Sequence, residues 1–216
     1  MAAMTDSDAE SIEHHAGRPL DATRDDALRA AALELLADIG YDRLTIDKIA
    51  AHAGAGKATI YRRWSGKAGL VVDALMCQKA IPSPPDTGTL RGDFAALIDQ
   101  ADEQDGRLDA EVMIGLVSAL PHDAELRDVF REQFIEPHAR TLLTVVDRAV
   151  ARGEIAPLEQ PEMIVAVLPA LVMHQLLTTG EPPNREFFTA ALDNVVLPLL
   201  GVRSVASSDT ELEKEI

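Results

Sequence analysis

Arg62 and Arg63 stand side by side, three residues beyond a hydroxyl at Thr59 and five beyond Lys57. Two guanidinium forks with a hydroxyl on one helical face are suited to reading the edges of base pairs. An Arg bidentate to guanine is the commonest specific contact in the major groove. Helical spacing supports this use. Ile60 and Trp64 are four apart, share a face and can pack inward, which turns Thr59, Arg62 and Arg63 outward. Thr45, at the start of the preceding helix, can cap it and can equally clamp a phosphate. Tyr61 serves as well for packing as for donating to a phosphate. Each of these side chains also has a plain structural use, and the Arg pair alone reads first as a solvated helix face.

The surrounding charge decides between these uses. Residues 48–72 hold five bases (Lys48, Lys57, Arg62, Arg63 and Lys67) and no acid. The whole chain of 216 residues has 36 acids against 20 bases, a net charge of −16. Read as a bulk property, that balance argues against a polyanionic partner. An acid-free stretch inside so acidic a chain argues for one at this surface. By region, residues 1–21 carry −4, 22–72 carry +2, 73–89 carry −1, 90–200 carry −11 and the end carries −2.

The elements that must position these residues are all helical. Residues 1–21 are polar and predict a mobile tail. In 23–39, Leu28, Ala31, Leu35 and Ile39 form an apolar stripe that Gly40 ends. A short helix follows Thr45, with Ile46, Ile49 and Ala53 inward and Gly54 closing it. A third runs from about Gly56 to Trp64, and a fourth from Lys67 to about Ala80. Two short helices joined through Gly54, Ala55 and Gly56 match a helix-turn-helix. The segment 81–89 contains three prolines and a glycine, which no helix crosses, and divides the chain into two regions. Beyond it, helices are predicted over 90–104, 108–120, 123–152, 161–179 and 184–199, with Pro137 kinking or splitting the third. Residues 161–179 are apolar nearly all round and need cover on both sides. The last helix presents Phe188, Leu192, Val195 and Leu199 on one face, with Phe187 and Ala191 on the other. The fold class is all-α, with a helix-turn-helix domain over 22–66, a connecting helix over 67–80, a helical domain over 90–200 and a polar tail over 201–216.

Other chemistries find little support. The single Cys excludes an internal disulfide framework and a Cys-based zinc site. No two of His122, His138 and His174 share an i, i+4 spacing, so neither a metal nor another cofactor is expected. Gly54 to Thr59 imitates the end of a phosphate-binding loop, but the pattern G-x-x-x-x-G-K-[ST] needs glycine at Ala51 and a hydroxyl at Ala58. Residues 1–20 have no secretory core, and the longest apolar run, 163–173, is shorter than the about 20 residues a span requires. A cytoplasmic protein with no membrane partner is the expectation.

The sequence resembles the tetracycline-repressor (TetR/AcrR) family of one-component transcriptional regulators. The shared pattern is a first helix ending Ala37, Asp38, Ile39, Gly40, Tyr41; then Leu44, Thr45, Ile49, Ala50, Ala53 and Gly54; then Lys57, Ala58, Thr59, Ile60, Tyr61, Trp64 and Lys67. It departs in two places: Gly56 stands where the family often has Ser, and Trp64 where it more usually has Phe. The resemblance implies that Thr59, Arg62 and Arg63 read bases, with Lys57 and Ala58 near the groove floor. Thr45, Tyr61 and Lys67 would hold phosphates. It also implies a homodimer through helices near 161–179 and 184–199, on a double-stranded, pseudo-palindromic DNA operator. A small-molecule effector in the larger domain would move the fourth helix and release the DNA.

Polar groups on otherwise apolar helices mark candidate effector residues: His138 and His174, with Gln175 and Thr178 nearby, beside Met113, Phe134 and Met173. The same residues also read as ordinary core, and His174 as a hydrogen-bonded core or interface histidine. The −11 of 90–200 favours a cationic or neutral effector. Two alternatives stand beside the ligand-released repressor. One is a helical enzyme or sequestering protein with an incidental basic patch, although no nucleophile–base pair is present. The other is a DNA binder without a ligand, which a sealed core would favour.

Overall fold

A computed structural model describes residues 18–103 and 110–202, with side chains from 22 to 101 and from 110 to 202. Twelve helices and no strand occur among the described residues. The first, α1 (Arg18–Arg43), opens inside the stretch assigned to the polar tail and is interrupted at Gly40, whose φ of 74° needs glycine. Its buried stripe is Leu28, Ala32 and Leu36, joined by Ala31 and Leu33. Leu35 and Ile39, expected inside, are only partly covered. The covered face is turned because α1 must meet α4 and α6 as well as α2.

Helices α2 (Ile46–His52) and α3 (Lys57–Arg63) follow, separated by a turn in which Gly54 has a φ of 62°. Thr45 caps α2, its hydroxyl accepting from the Lys48 N–H at 3.3 Å. Gly56 opens α3 without a side-chain cap. Next, α4 (Lys67–Gln78) carries the most continuous buried run among the described residues, 68–72 with Ala74 and Leu75. The helices α5 (Leu90–Glu103) and α6 (Ala110–Ala119) lead to α7 (Ala124–Phe130), α8 (Glu136–Ala151), α9 (Pro161–Val165), α10 (Val167–Thr179), α11 (Arg185–Ala191) and α12 (Leu197–Leu199).

Three of the helix junctions are set by proline. A π-helical turn, 131–135, joins α7 to α8 just before Pro137, and another, 192–196, joins α11 to α12 just before Pro198. Proline has no N–H to return to the preceding turn, and one extra residue in that turn lets the helix run on. Between α9 and α10 the break at Ala166 precedes Pro169 in the same manner. The extra residue of the second π-turn also moves the buried face. Val196 and Leu200 are covered, where an uninterrupted helix would cover Val195 and Leu199, and Leu199 is exposed.

Two cores result. The first joins α1–α4 with Val112, Leu116 and Ala119 of α6 and Leu126 and Phe130 of α7. The second joins Leu90, Phe94, Leu97 and Ile98 of α5 with Val145, Val146 and Ala149 of α8 and with Leu192, Val196 and Leu197. Helix α6 reaches α1 closely, since a Cβ at Gly115 would lie 4.0 Å from the Leu36 carbonyl. The 81–89 segment is therefore not where packing stops. It runs over α8, whose Thr141 hydroxyl donates to the Pro82 carbonyl at 3.1 Å and whose Arg148 donates to the carbonyls of Pro84 and Pro85 at 3.1 and 2.9 Å.

Residues 161–179 are not covered on both sides. By length and composition Pro161–Thr179 could cross a membrane, yet only 11% of its most apolar stretch is buried within the chain. Its apolar exposure, including Met163 and Leu177, faces away from both cores.

Candidate nucleic-acid interface and interior pocket

Helix α3 is held by a small number of specific contacts. Ile60 is fully buried, and Trp64, its C-cap, is 9% exposed. The Trp64 indole N–H donates to Asp73 of α4 at 2.8 Å, and Arg29 of α1 donates to the same carboxylate at 2.8 Å. The Arg29 guanidinium also lies 5.7 Å from the Trp64 ring centre. Desolvation by partial burial works against the Arg29 charge, but the bonds to Asp73 outweigh it and hold its pKa above the ordinary value. Asp73 thus ties α1, α3 and α4 together through one side chain.

On the other side of α3, Lys57, Ala58, Tyr61, Arg62 and Arg63 are exposed, and Tyr61 shows 60% of its surface. At 3.6 residues per turn, Arg62 stands about 160° from Ile60 around the helix, nearly opposite the buried face. Thr59 and Arg63 lie on one flank, and Thr59 is half-covered. Arg63 reaches back to Asp25 of α1 at 3.4 Å, and Asp25 is buried.

The acid-free stretch is acid-free only along the chain. Lys57 pairs with Asp47 of α2 at 2.6 Å, a bond that raises its pKa. Lys48 donates to the Arg43 carbonyl at 2.7 Å. These partners lie outside 48–72 in sequence and next to it in space, so a linear window could not show them. The Lys57–Asp47 pair is solvent-exposed and screened, so an incoming phosphate can replace it.

Lys67 differs from the expectation of a cation directed at phosphate. It is half-buried, donates to the Tyr41 carbonyl at 3.0 Å and lies 3.8 Å from the Tyr41 ring centre. Burial pushes its pKa down, while the charges of Asp123, Asp42 and Glu125 act in the opposite sense. Tyr41 is buried, its pKa raised by burial and by the nearby charge of Asp123, which caps α7 through the Leu126 N–H at 2.9 Å. The start of α4 is thereby joined to α1 and α7.

Beyond the far end of α4 lies a pocket of about 300 Å³. Lys79, the C-cap of α4, lines it. So do Ile98, Ala101, Met113, Phe134, His138, Val172, Leu176, Phe188 and the turn 182–185. Three of the expected residues, Met113, Phe134 and His138, therefore meet in one cavity. Met173 and His174 do not line it. Val172 and Leu176 share the pocket face of α10, whereas His174 falls between them on a different face and is exposed. The spacing of 172 and 176 was the available signal, masked by a helix apolar on every side. His138 is oriented by the Phe134 carbonyl, 2.7 Å from Nδ1, and its ring centre lies 4.5 Å from that of Phe134, tilted by 33°. Burial lowers its pKa below 6.5, although the carbonyl contact acts in the opposite sense. The neutral ring donates from Nδ1 and retains Nε2 as an acceptor.

Comparison with known proteins completes this picture. Residues 28–74 match the family model described as bacterial regulatory proteins, tetR family, and 84–195 match one described as tetracyclin repressor-like, C-terminal domain. The chain belongs to the tetR family. It is a DNA-binding transcriptional regulator. A DNA-binding transcriptional repressor, TetR, of Mycobacteroides abscessus is 37% identical over 180 residues, covering 82% of this chain and 94% of its own. An HTH-type transcriptional regulator of Mycobacterium tuberculosis is 35% identical over 195 residues, covering 88% and 96%. Among solved structures, a TetR-family transcription regulator superposes with a TM-score of 0.58 at 28% identity, over 84% of this chain and 98% of that one. The fold is shared too by a Bacillus subtilis regulator, FadR, solved with stearoyl-CoA, with a TM-score of 0.59 at 20% identity over 82% and 98%.

Proposed function

We propose that this tetR-family regulator is a homodimeric repressor acting in the cytoplasm, released from a pseudo-palindromic operator by a small molecule bound beside α4. The division of labour follows the chain: 22–66 reads DNA, 67–80 transmits, and 90–200 binds the effector and the second subunit. The observation that carries the reading is α4 itself. One part of it holds α3 through Asp73 and Trp64, and its C-cap, Lys79, lines the pocket. A ligand that favours one position of that helix shifts the pair of α3 helices, whose spacing on DNA must be about 34–36 Å or a multiple of a turn. The presence of a cavity favours this over a ligand-free DNA binder.

Within the interface, Arg62 is assigned to base edges, with Thr59 on its flank and Ala58 close to the groove floor. Lys57, Thr45 and Tyr61 are assigned to phosphates. Arg63 and Lys67 act mainly by fixing α3 and α4 against α1. Electrophoretic mobility shift on DNA flanking the protein's own gene tests the whole. Salt-sensitive, sequence-dependent binding is expected. Arg62→Ala should cost about 1–3 kcal/mol on the preferred site and flatten the preference among sites. Arg63→Ala should weaken all sites alike. Binding that ignores both salt and sequence would refute the assignment.

A further inference from the structure

We propose that the effector is a neutral aromatic molecule carrying a hydroxyl or N–H group, which it donates to Nε2 of His138. This inference rests on the pocket being the effector site, and it adds the ligand's class and the residue that selects it.

The need for a donor follows from the imidazole. The Phe134 carbonyl lies 2.7 Å from Nδ1. A carbonyl oxygen only accepts, so the proton of the neutral ring sits on Nδ1 and Nε2 keeps its lone pair. Burial favours the neutral ring, lowering the His138 pKa by more than the carbonyl contact raises it. Nδ1 is committed to the preceding turn of its own helix, and Nε2, at the outer edge of the ring, is the atom that His138 offers to the pocket it lines. Beyond the carbonyl and ring of Phe134, the imidazole has no polar or charged partner among the described residues. A ligand that fills the pocket displaces water from Nε2. If it brings a donor, one hydrogen bond replaces another. If it brings only a methyl group, or the lone pairs of a carboxylate, a half-buried acceptor is left unpaired. Such a site rejects the analogue without the donor more strongly than an apolar wall does.

The aromatic body follows from the rings. Phe130, Phe134 and His138 are spaced four apart and form one column through the π-helical turn 131–135. The Phe130 and Phe134 centres are 4.9 Å apart and 12° from parallel, and those of Phe134 and His138 are 4.5 Å apart and tilted by 33°. The column begins with Phe130, buried in the first core, and ends at the pocket. Phe188, packed on the second core, lines the pocket as well. Ring faces and edges of this kind are best met by another ring. About 150 Å³ encloses one benzene ring, so a cavity of about 300 Å³ has room for two fused rings. The column also gives the consequence of binding. Phe130 belongs to α7, which packs on α4, so a ring pressed against Phe134 bears on the helix whose Asp73 holds Trp64.

The probes are 2-naphthol, its methyl ether 2-methoxynaphthalene, and naphthalene, each titrated by calorimetry into the full-length protein at pH 7. 2-Naphthol should bind about tenfold more tightly than the ether, although the ether is the more apolar. His138→Phe keeps a ring in the column and has no acceptor. It should abolish that preference and leave naphthalene affinity unchanged, while His138→Gln, whose amide oxygen can accept, should retain part of it. A melting temperature near that of wild type shows that each variant is folded. A second readout needs no variant affinity. In protein labelled with nitrogen-15 histidine, the His138 signals, picked out from the six histidines by their loss in His138→Gln, should show a protonated Nδ1 and a bare Nε2. 2-Naphthol should shift that Nε2 signal toward the protonated side, and the ether should not. A proton on Nε2, a preference that survives in His138→Phe, tighter binding of the ether, or no binding of 2-naphthol would overturn the ligand class. 2-Naphthol that binds through His138 yet fails to release operator DNA in the mobility shift would keep the chemistry of the site and refute the effector reading on which it rests.

Discussion

Lys67 shows how the contacts of a single residue bear on the role expected of it. Its position at the start of α4, among other bases, suggests a phosphate contact. The structure instead uses it as a brace, with its ammonium on the Tyr41 carbonyl and against the Tyr41 ring. The two roles predict different salt behaviour. A lysine that neutralises a phosphate lowers the slope of log affinity against log salt by about one when removed. A brace does not. Lys67→Ala should therefore weaken DNA binding on all sequences while leaving the salt slope of the wild type unchanged, measured by fluorescence polarisation between about 50 and 200 mM salt. A slope reduced by about one would return Lys67 to the phosphate. The exposure of Arg62 is legible in the sequence because the helical period and its distance from Ile60 suffice. The contacts of Lys67 and Arg63 are not, because their partners Tyr41 and Asp25 lie far along the chain.

At the scale of elements, the helices follow from periodicity and their interruptions follow from proline, but the phase of a helix after a π-turn does not. Phe188 and Leu192 lie on the expected face of 184–199, and only beyond the π-turn does it shift by one, since Val196 rather than Val195 is covered. The 81–89 segment is another case. Its prolines announce a break, yet nothing local reveals that α8 straps it down. Its anchor is Asp93, fully buried, which accepts from the Thr87 N–H at 2.6 Å, the Thr87 hydroxyl at 2.7 Å and Arg152 at 3.1 Å. Burial alone would raise the Asp93 pKa, but these three donors outweigh it and hold the group below the ordinary carboxylate range. A carboxylate depressed in the folded state contributes stability that is complete above its unfolded pKa, about 3.9. That stability is lost as pH falls through the lower, folded value. Asp93→Asn should remove this acid-limb dependence and cost about 2 kcal/mol at pH 7. That is less than the roughly 3–5 kcal/mol of a fully buried pair, because Arg152 retains Glu154 and water. Urea unfolding at pH 7 and at pH 3 checks both statements, and an equal cost at the two pH values would contradict the sign.

For the whole molecule, the net charge of −16 describes no working surface. The exposed face of α3 carries cations within an acidic chain, which shows only when charge is read locally. Apolar surface needs the same treatment. A helix as apolar as Pro161–Thr179 was expected to be enclosed, and within one chain it is not. Met163, Leu177 and Leu199 are exposed to 69%, 59% and 52%. Single exposed apolar residues are ordinary, but a helical stretch that is apolar on nearly every side and left mostly uncovered marks an association surface. In a two-fold dimer the same patch meets its own copy, so one substitution is applied twice. Leu177→Glu places two carboxylates at that contact. It should shift the protein from dimer to monomer in sedimentation equilibrium at micromolar concentration, with helical content and melting of the first core preserved. Because each subunit carries one α3, the monomer should lose most of its operator affinity, while Leu177→Met should keep both the dimer and the affinity. A Leu177→Glu variant that remains dimeric would move the interface elsewhere on the surface and would leave the exposed face of α10 without its assigned partner.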